Sequence, residues 1–199
     1  MTIREDSINF TAQIRQNEIT NLASELGVTP ESLARLRIGK NSERSTYTFP
    51  LRQPNGFIVG ISNRPIEPNS TRSKTTTGHG AGQGLFFDPA GLSSDYLIVT
   101  EGASDTAAVL SAGFSSVVGK MSASTGTNSI VQLCQRMQPR IVINLRDADK
   151  AATQGHKKLV RGLGAQSIVE LFPDHGVKDA SPTSPTSFLR IFFLGFCVV

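Results

Sequence analysis

The chain has 199 residues, enough for one good hydrophobic core or a core with a small satellite. Its 20 Lys and Arg residues against 16 Asp and Glu residues give a formal net charge of +4, which permits a nucleic-acid partner without requiring one. The two cysteines, Cys134 and Cys197, show neither metal-ligand spacing nor a disulfide framework, so a reducing cytoplasm is expected. The polar N-terminus has no apolar signal core, and the apolar run at 188–199 is shorter than the ~20 residues that a membrane span needs.

The first 44 residues are predicted to form a helical N-terminal segment. Apolar residues at helical spacing predict one helix over residues 17–26, ended by a glycine. A second helix is expected to begin at Pro30, with Thr29 as its N-cap, and to end at Gly39. Two short helices around a glycine turn are compatible with a DNA-binding helix-turn-helix or with a small packing hairpin, and the packing hairpin is the commoner use.

Residues 45–92 are predicted to form a small β-rich segment. Two β-rich runs, residues 46–51 and 56–61, flank an Asn-Gly pair, which is a strong hairpin signal. Residues 63–84 are polar, basic and glycine-containing, which suits either a phosphate contact or a solvated surface loop. Residues 85–87 are predicted to return as a strand.

From residue 93 to about 180, predicted strands and helices alternate. The strands are expected at residues 96–100, 116–118, 140–145 and 167–171, and the helices at residues 105–112, 128–137 and 151–163. Four strands alternating with helices predict a parallel sheet with right-handed crossovers. Residues 181–199 follow as a Pro/Ser/Thr-rich stretch and an apolar tail.

Three acidic residues lie where two of these strands end. Glu101 closes the first strand, and Asp147 and Asp149 follow the third, two residues apart, so that in extended backbone they point to the same side. Ser104 or Asp105 is expected to cap the helix after Glu101. Neighbouring parallel strands deliver their ends to one crevice, where carboxylates repel one another unless a cation such as Mg²⁺ joins them. The alternatives are solvated strand-end carboxylates or, for the Asp pair, a turn or helix cap. The constellation predicts metal-dependent chemistry on phosphate esters.

Several segments resemble the toprim domain, the metal-binding α/β module shared by DnaG-type primases, type IA and II topoisomerases, OLD-family nucleases and RecR-type repair proteins. The resemblance rests on residues 97–108 and 141–149, followed by Gly155. Residues 47–61 and 84–87 resemble the β-rich segment before toprim in primase-like proteins, and residues 176–179 resemble the Lys-Asp element after their fourth strand. The implied fold class is α/β: a toprim-like parallel sheet of about four strands flanked by helices, preceded by a small α+β N-terminal segment.

The resemblance also implies a catalytic set of Glu101, Asp147 and Asp149. Glu101 would be the acid/base group or a metal ligand, while Asp147 and Asp149 would hold Mg²⁺ or Mn²⁺. Asp179 would join the outer shell of the metal. Basic residues in predicted loops are candidates for holding template and triphosphate, and each of them has a solvating charge as its alternative: Lys74, Arg72, Lys120 and Arg146.

The implied function is primase-like nucleotidyl transfer in replication. The 3′-hydroxyl of the growing primer attacks a nucleoside triphosphate on a single-stranded DNA template, and metal ions lower the pKa of that hydroxyl. Single-stranded DNA and nucleoside triphosphates are the implied partners, with a replicative helicase as a further one and no membrane. The only tyrosines, Tyr47 and Tyr96, lie in a hairpin and at the start of a core strand, which disfavours a self-contained topoisomerase. The alternatives are a toprim nuclease, in which metal-activated water attacks, and a non-catalytic nucleic-acid-binding module.

The sequence departs from the pattern of the family in three respects. Ala152 stands where family members usually have glycine, at the turn from the Asp pair into its helix. No zinc-binding module precedes the β-rich segment. The tail at 181–199 looks foreign to the family, and one hypothesis is a shortened or frame-shifted gene product.

Overall fold

The computed structural model describes residues 2–67, 75–146, 150–164 and 167–171. Within these ranges the helices and strands follow in this order: α1 (Ile3–Gln13), α2 (Gln16–Leu26), α3 (Pro30–Arg35), β1 (Gly39–Asn41), β2 (Thr46–Arg52), β3 (Ile58–Pro65), β4 (Thr75–Thr77), β5 (Tyr96–Glu101), α4 (Ala103–Ser111), β6 (Val117–Lys120), α5 (Thr127–Met137), β7 (Ile141–Leu145), α6 (Lys150–Leu163) and β8 (Ile168–Leu171). Short 3-10 turns lie at Ala81–Gln83 and Pro89–Gly91. Among these helices, none has the length and apolar character to cross a bilayer.

Local sequence features explain where the N-terminal helices begin and end. Helix α2 ends at Gly27, whose φ of +64° is the left-handed conformation that glycine adopts without strain. Helix α3 begins as predicted, because the Thr29 hydroxyl accepts a hydrogen bond from the Ser32 N–H at 3.2 Å and Pro30 occupies the first turn. The prediction that this helix continues to Gly39 is wrong. It ends at Arg35, and Gly39 instead begins β1, where a side chain would overlap the backbone of α1.

The first sheet is antiparallel, with strand order β1-β2-β3-β4. The predicted hairpin is present as β2 and β3, and its turn contains Gly56, with a φ of +88° and an N–H that donates to the Gln53 carbonyl at 2.8 Å. The expectation of a plain loop over residues 63–84 is partly wrong. Strand β3 continues to Pro65, and Thr75–Thr77 pairs with it as β4.

The second sheet is parallel, with strand order β6-β5-β7-β8, and it confirms the predicted four-stranded α/β architecture. Alternate side chains of β5 point to opposite faces. Leu97 and Val99 pack in a core cluster with residues of α5 and α6, whereas Ile98 packs in a second cluster with residues of α2, α3 and α4. The central strands are therefore covered on both faces, as buried parallel strands require.

Two consecutive residues hydrogen-bond one sheet to the other. Leu85 exchanges two backbone hydrogen bonds with Arg52 of β2, and Phe86 exchanges two with Gly119 of β6. The strand predicted at residues 85–87 is thus a pair of isolated bridges rather than a member of either sheet. The division into segments 1–44, 45–92, 93–180 and 181–199 stays a prediction. All of the last segment, and the third segment from residue 172 onward, lie outside the described residues.

Candidate functional site

A buried ion pair lies at the carboxyl-terminal edge of the parallel sheet. Glu101 is the last residue of β5 and Lys120 the last of β6, and the register places them side by side. The Lys120 Nζ is 3.6 Å from the Glu101 Oε1, and the two side chains are only 2% and 13% exposed. The edge predicted to carry the chemistry therefore holds a carboxylate with a cation already beside it.

The prediction that Lys120, a candidate for holding template or triphosphate, lies in a loop is wrong, and so is the alternative of a solvating charge. It belongs to β6 and is enclosed by protein, and its Nζ also donates to the Ala123 carbonyl at 3.5 Å. Burial lowers the pKa of the Lys120 ammonium, while the neighbouring Glu101 charge opposes that shift. The pairing with Glu101 offsets part of the cost of holding this charge away from water.

The turn that carries Glu101 is held by a small hydroxyl network. Gly102, the N-cap of α4, has a φ of +106°, and Thr106 Oγ1 donates to the Gly102 carbonyl at 2.6 Å. The Thr106 hydroxyl lies 2.9 Å from that of Thr100, and both are buried. Gly119 on β6 has no room for a side chain, because a Cβ there would overlap Thr106.

The helix after Glu101 is not capped as predicted. Its N-cap is Gly102, which has no side chain to accept a bond, rather than Ser104 or Asp105. Both of these residues lie within the first turn of α4. An acidic residue in the first turn, here Asp105, still interacts favourably with the positive end of the helix dipole.

The neighbouring strand β7 reaches the same edge. Its polar side chains connect to β8 and α6: Arg146 forms an ion pair with Glu170, and the Asn144 amide nitrogen is 3.1 Å from His156 Nδ1. The Asn144 amide N–H donates to His156 Nδ1, and burial lowers the pKa of the His156 ring while the Glu170 charge opposes that shift. The buried Asn144 Oδ1 accepts no hydrogen bond from the described part of the chain. Sequence reasoning did not identify Glu170, Asn144 or His156 as neighbours of the site.

The structure brings two of the predicted site residues into contact and does not describe the position of several others. Glu101 and Lys120 are in contact, whereas the ion pair of Arg146 is with Glu170. The remaining predicted site residues lie outside the described ranges: Asp147, Asp149, Lys74, Arg72 and Asp179. Strand β7 ends at Leu145 beside β5, at the edge that carries Glu101, and residues 147–149 follow it in the sequence. The described residues alone contain no cluster of three metal-ligating side chains.

Neither tyrosine is a free nucleophile. Tyr47 is buried on β2, and the Tyr96 hydroxyl accepts the Ser115 N–H at 3.2 Å. Neither of the two tyrosines is exposed as a topoisomerase-type covalent step would require.

No protein-family model and no curated protein sequence matches the chain. Several solved structures do match the chain in fold. The E. coli primase catalytic core aligns with a TM-score of 0.71 at 16% identity, over 95% of this chain and 77% of that one. A DnaG primase catalytic domain bound to single-stranded DNA aligns with a TM-score of 0.68 at 19% identity, over 95% and 73% of the two chains.

A phage protein shows the same likeness. The primase fragment of the bacteriophage T7 primase-helicase protein aligns with a TM-score of 0.61 at 20% identity, over 79% of this chain and 66% of that one. At such identities the likeness concerns the fold. The chain therefore has the toprim fold of DnaG-type primase catalytic cores, as the resemblance predicted.

Proposed function

We propose that this chain is a primase-like nucleotidyltransferase that makes RNA primers on single-stranded DNA with Mg²⁺ or Mn²⁺. The observation that supports this most is the placement of Glu101, ion-paired with Lys120, at the carboxyl edge of a toprim sheet. The adjacent strand β7 ends at Leu145 beside β5, and Asp147 and Asp149 follow it in the sequence. The fold shared with DnaG catalytic cores makes nucleotidyl transfer the reaction that best uses this arrangement.

The chemistry of the available donors fits a hard divalent cation. Glu101 offers a carboxylate oxygen, and Asp147 and Asp149 would complete an all-oxygen set of the kind Mg²⁺ prefers. The bound ion would lower the pKa of the attacking hydroxyl and neutralise charge on the phosphate oxygens. Asp179 is a further candidate for the outer shell.

Lys120 has a different role from the one its charge alone predicts. Its ammonium is enclosed, so it acts on the reaction through Glu101 rather than by contact with a triphosphate in solvent. A fixed positive charge at 3.6 Å orients the carboxylate. Lys120 is thus a positioning residue, and triphosphate contact falls to residues such as Lys74 and Arg146.

The choice of partners follows the solved neighbours. One of them is a DnaG catalytic domain bound to single-stranded DNA, and another is a fragment of a primase-helicase protein. We extend single-stranded DNA, and a replicative helicase as a working partner, to this chain on that basis.

Primer synthesis from labelled nucleoside triphosphates on a single-stranded template, with and without Mg²⁺, tests the proposal. Glu101→Gln should abolish synthesis, because it removes the carboxylate charge while keeping the side-chain shape. The matched control Glu31→Gln changes an exposed glutamate on α3 and should leave synthesis intact. Strand cleavage without synthesis would establish the nuclease alternative instead, and DNA binding without either reaction would establish a non-catalytic module.

A further inference from the structure

An open groove of about 670 Å³ lies between α1, the tip of the β2–β3 hairpin and the turn at Pro89–Gly91. Three arginines line it, Arg4, Arg37 and Arg52, together with one acidic residue, Asp88. The Asp88 carboxylate is already paired with Arg35, at 3.0 Å. The groove therefore has a surplus of positive charge and a volume typical of ligand sites.

Arg52 is the strongest sign that the groove binds an anion. Arg52 is only 7% exposed, and its Nη1 donates to the Gly56 carbonyl at 3.0 Å. Its buried Nε has no hydrogen-bond partner among the described residues, although buried polar groups nearly always have one. Burial and the nearby Arg37 lower the pKa of the Arg52 guanidinium, and the Asp88 charge opposes that shift. An anion bound in the groove would offset this unpaired positive charge and relieve the repulsion between Arg37 and Arg52.

The same groove carries exposed apolar surface. Ile8 and Phe57 are the large hydrophobic side chains most exposed in the described part of the chain, at 55% and 63%, and both line the groove. Phe57 stands at the hairpin tip, where its ring faces no partner ring among the described residues. An exposed aromatic ring beside arginines is the combination that binds single-stranded nucleic acid, with bases stacked on the ring and phosphates on the guanidinium groups.

The groove is separate from the edge that carries Glu101. The chain after Phe86, which pairs with Gly119, runs antiparallel to β6 toward its amino-terminal end. A side chain at Gly91 would lie 2.6 Å from the Ser115 carbonyl, just before β6 begins. The turn that lines the groove is therefore at the amino-terminal end of the parallel strands, opposite the Glu101–Lys120 pair.

We propose that this groove is a second contact site for single-stranded nucleic acid, in which Arg4, Arg37 and Arg52 bind phosphates and a base stacks on Phe57. The groove would bind a nucleic-acid strand at the end of the parallel sheet opposite the Glu101–Lys120 pair. The identification of that strand as DNA rests on the proposed function, whereas the site itself does not depend on catalysis.

A tryptophan at the hairpin tip reports on this site directly. The chain contains no tryptophan, so Phe57→Trp supplies a single fluorophore on which a base can stack. Titration with oligo-dT, without metal or triphosphate, should quench its emission to saturation. In parallel, Phe57→Ala should weaken binding of a labelled oligo-dT by about fivefold to 150-fold, the range for loss of one stacked base.

Charge variants supply the matched control. Because each phosphate contact on a single strand contributes about 0.7 to the salt slope of binding, the Arg4→Gln/Arg37→Gln double variant should lower that slope by about 1.4. The Lys157→Gln/Arg161→Gln double variant removes two exposed charges from α6 and should leave the Phe57→Trp quenching unchanged. Circular dichroism of each variant confirms that it is folded.

Three results would overturn this site: no quenching by oligo-dT, an equal effect of the two double variants, or stronger quenching by an acidic peptide than by the oligonucleotide. The last result would assign the groove to a protein partner. Since these measurements contain no metal or triphosphate, their failure leaves the primer-synthesis assay to judge the proposed function separately.

Discussion

Removal of the Lys120 ammonium should destabilise the fold well beyond the effect of an ordinary surface charge. Lys120→Met leaves the Glu101 carboxylate, 13% exposed, without the cation that lies 3.6 Å away. At an effective dielectric constant of ~20, two unit charges at that distance attract by about 4.6 kcal/mol. Loss of one partner of a buried pair costs about 3–5 kcal/mol. Since Glu101 keeps some contact with solvent, we expect the free energy of unfolding to fall by about 3 kcal/mol.

A double-mutant cycle separates the pair from the side chains that form it. Glu101→Gln leaves a buried ammonium and should also destabilise, whereas Glu101→Gln/Lys120→Met removes both charges. The double variant should therefore lose less stability than the two single losses together, by at least about 1 kcal/mol. Urea unfolding followed by far-UV circular dichroism measures all four proteins, with an unchanged slope as the sign that only stability has changed.

The exposed pair between Arg64 and Glu25 supplies the comparison. Its atoms are closer, at 2.8 Å, but both side chains are partly exposed, so Arg64→Gln should cost less than about 1 kcal/mol. If Lys120→Met costs no more than Arg64→Gln, or if the cycle is additive, the buried pair does not stabilise the fold and the reasoning is refuted.

Two further predictions concern the packing of the sheet. Gly155→Ala should lower the free energy of unfolding by about 1–2 kcal/mol in urea titrations, although alanine normally favours a helix, because its Cβ would overlap the Ala123 carbonyl. Gly82→Ala, which meets open space, should be close to neutral, and equal effects of the two would refute the packing argument. In a Cys197→Ser background, Cys134 should react with Ellman's reagent only as fast as the protein unfolds, since burial raises the pKa of its thiol to about 11 from an ordinary 9.0. Because the native thiol keeps its proton over that interval, stability should fall as the pH rises from about 9 to 11, and fast labelling of the native protein at pH 8 would contradict this.

Local signals in the sequence predicted most of the architecture. The Asn-Gly pair predicted the β2–β3 hairpin, and the alternating β and α patterns predicted the parallel sheet. Both signals can be recognised because they depend on residues close together in the chain. The β4 strand was missed although its three consecutive threonines are strong β-formers, since a glycine-rich basic stretch surrounds them.

The site could be predicted only in part. Glu101 was identified from its place at a strand end, but the burial of Lys120 depends on the register of β5 against β6, which no local pattern encodes. No local pattern predicts the groove either, because Arg4, Arg37 and Arg52 are far apart in the chain and line one groove only once α1 packs beside the hairpin. Metal coordination by Asp147, Asp149 and Asp179 stays a prediction.

The bridge formed by Leu85 and Phe86 has a consequence for any attempt to shorten the protein. Strand β6 is one of the two outer strands of the parallel sheet, and Phe86 occupies hydrogen-bonding groups on its free side. A fragment that starts at residue 93 would expose that edge, and unprotected edge strands invite pairing between molecules. The segment that bridges the two sheets thus protects an edge strand as well as joining the two parts of the fold.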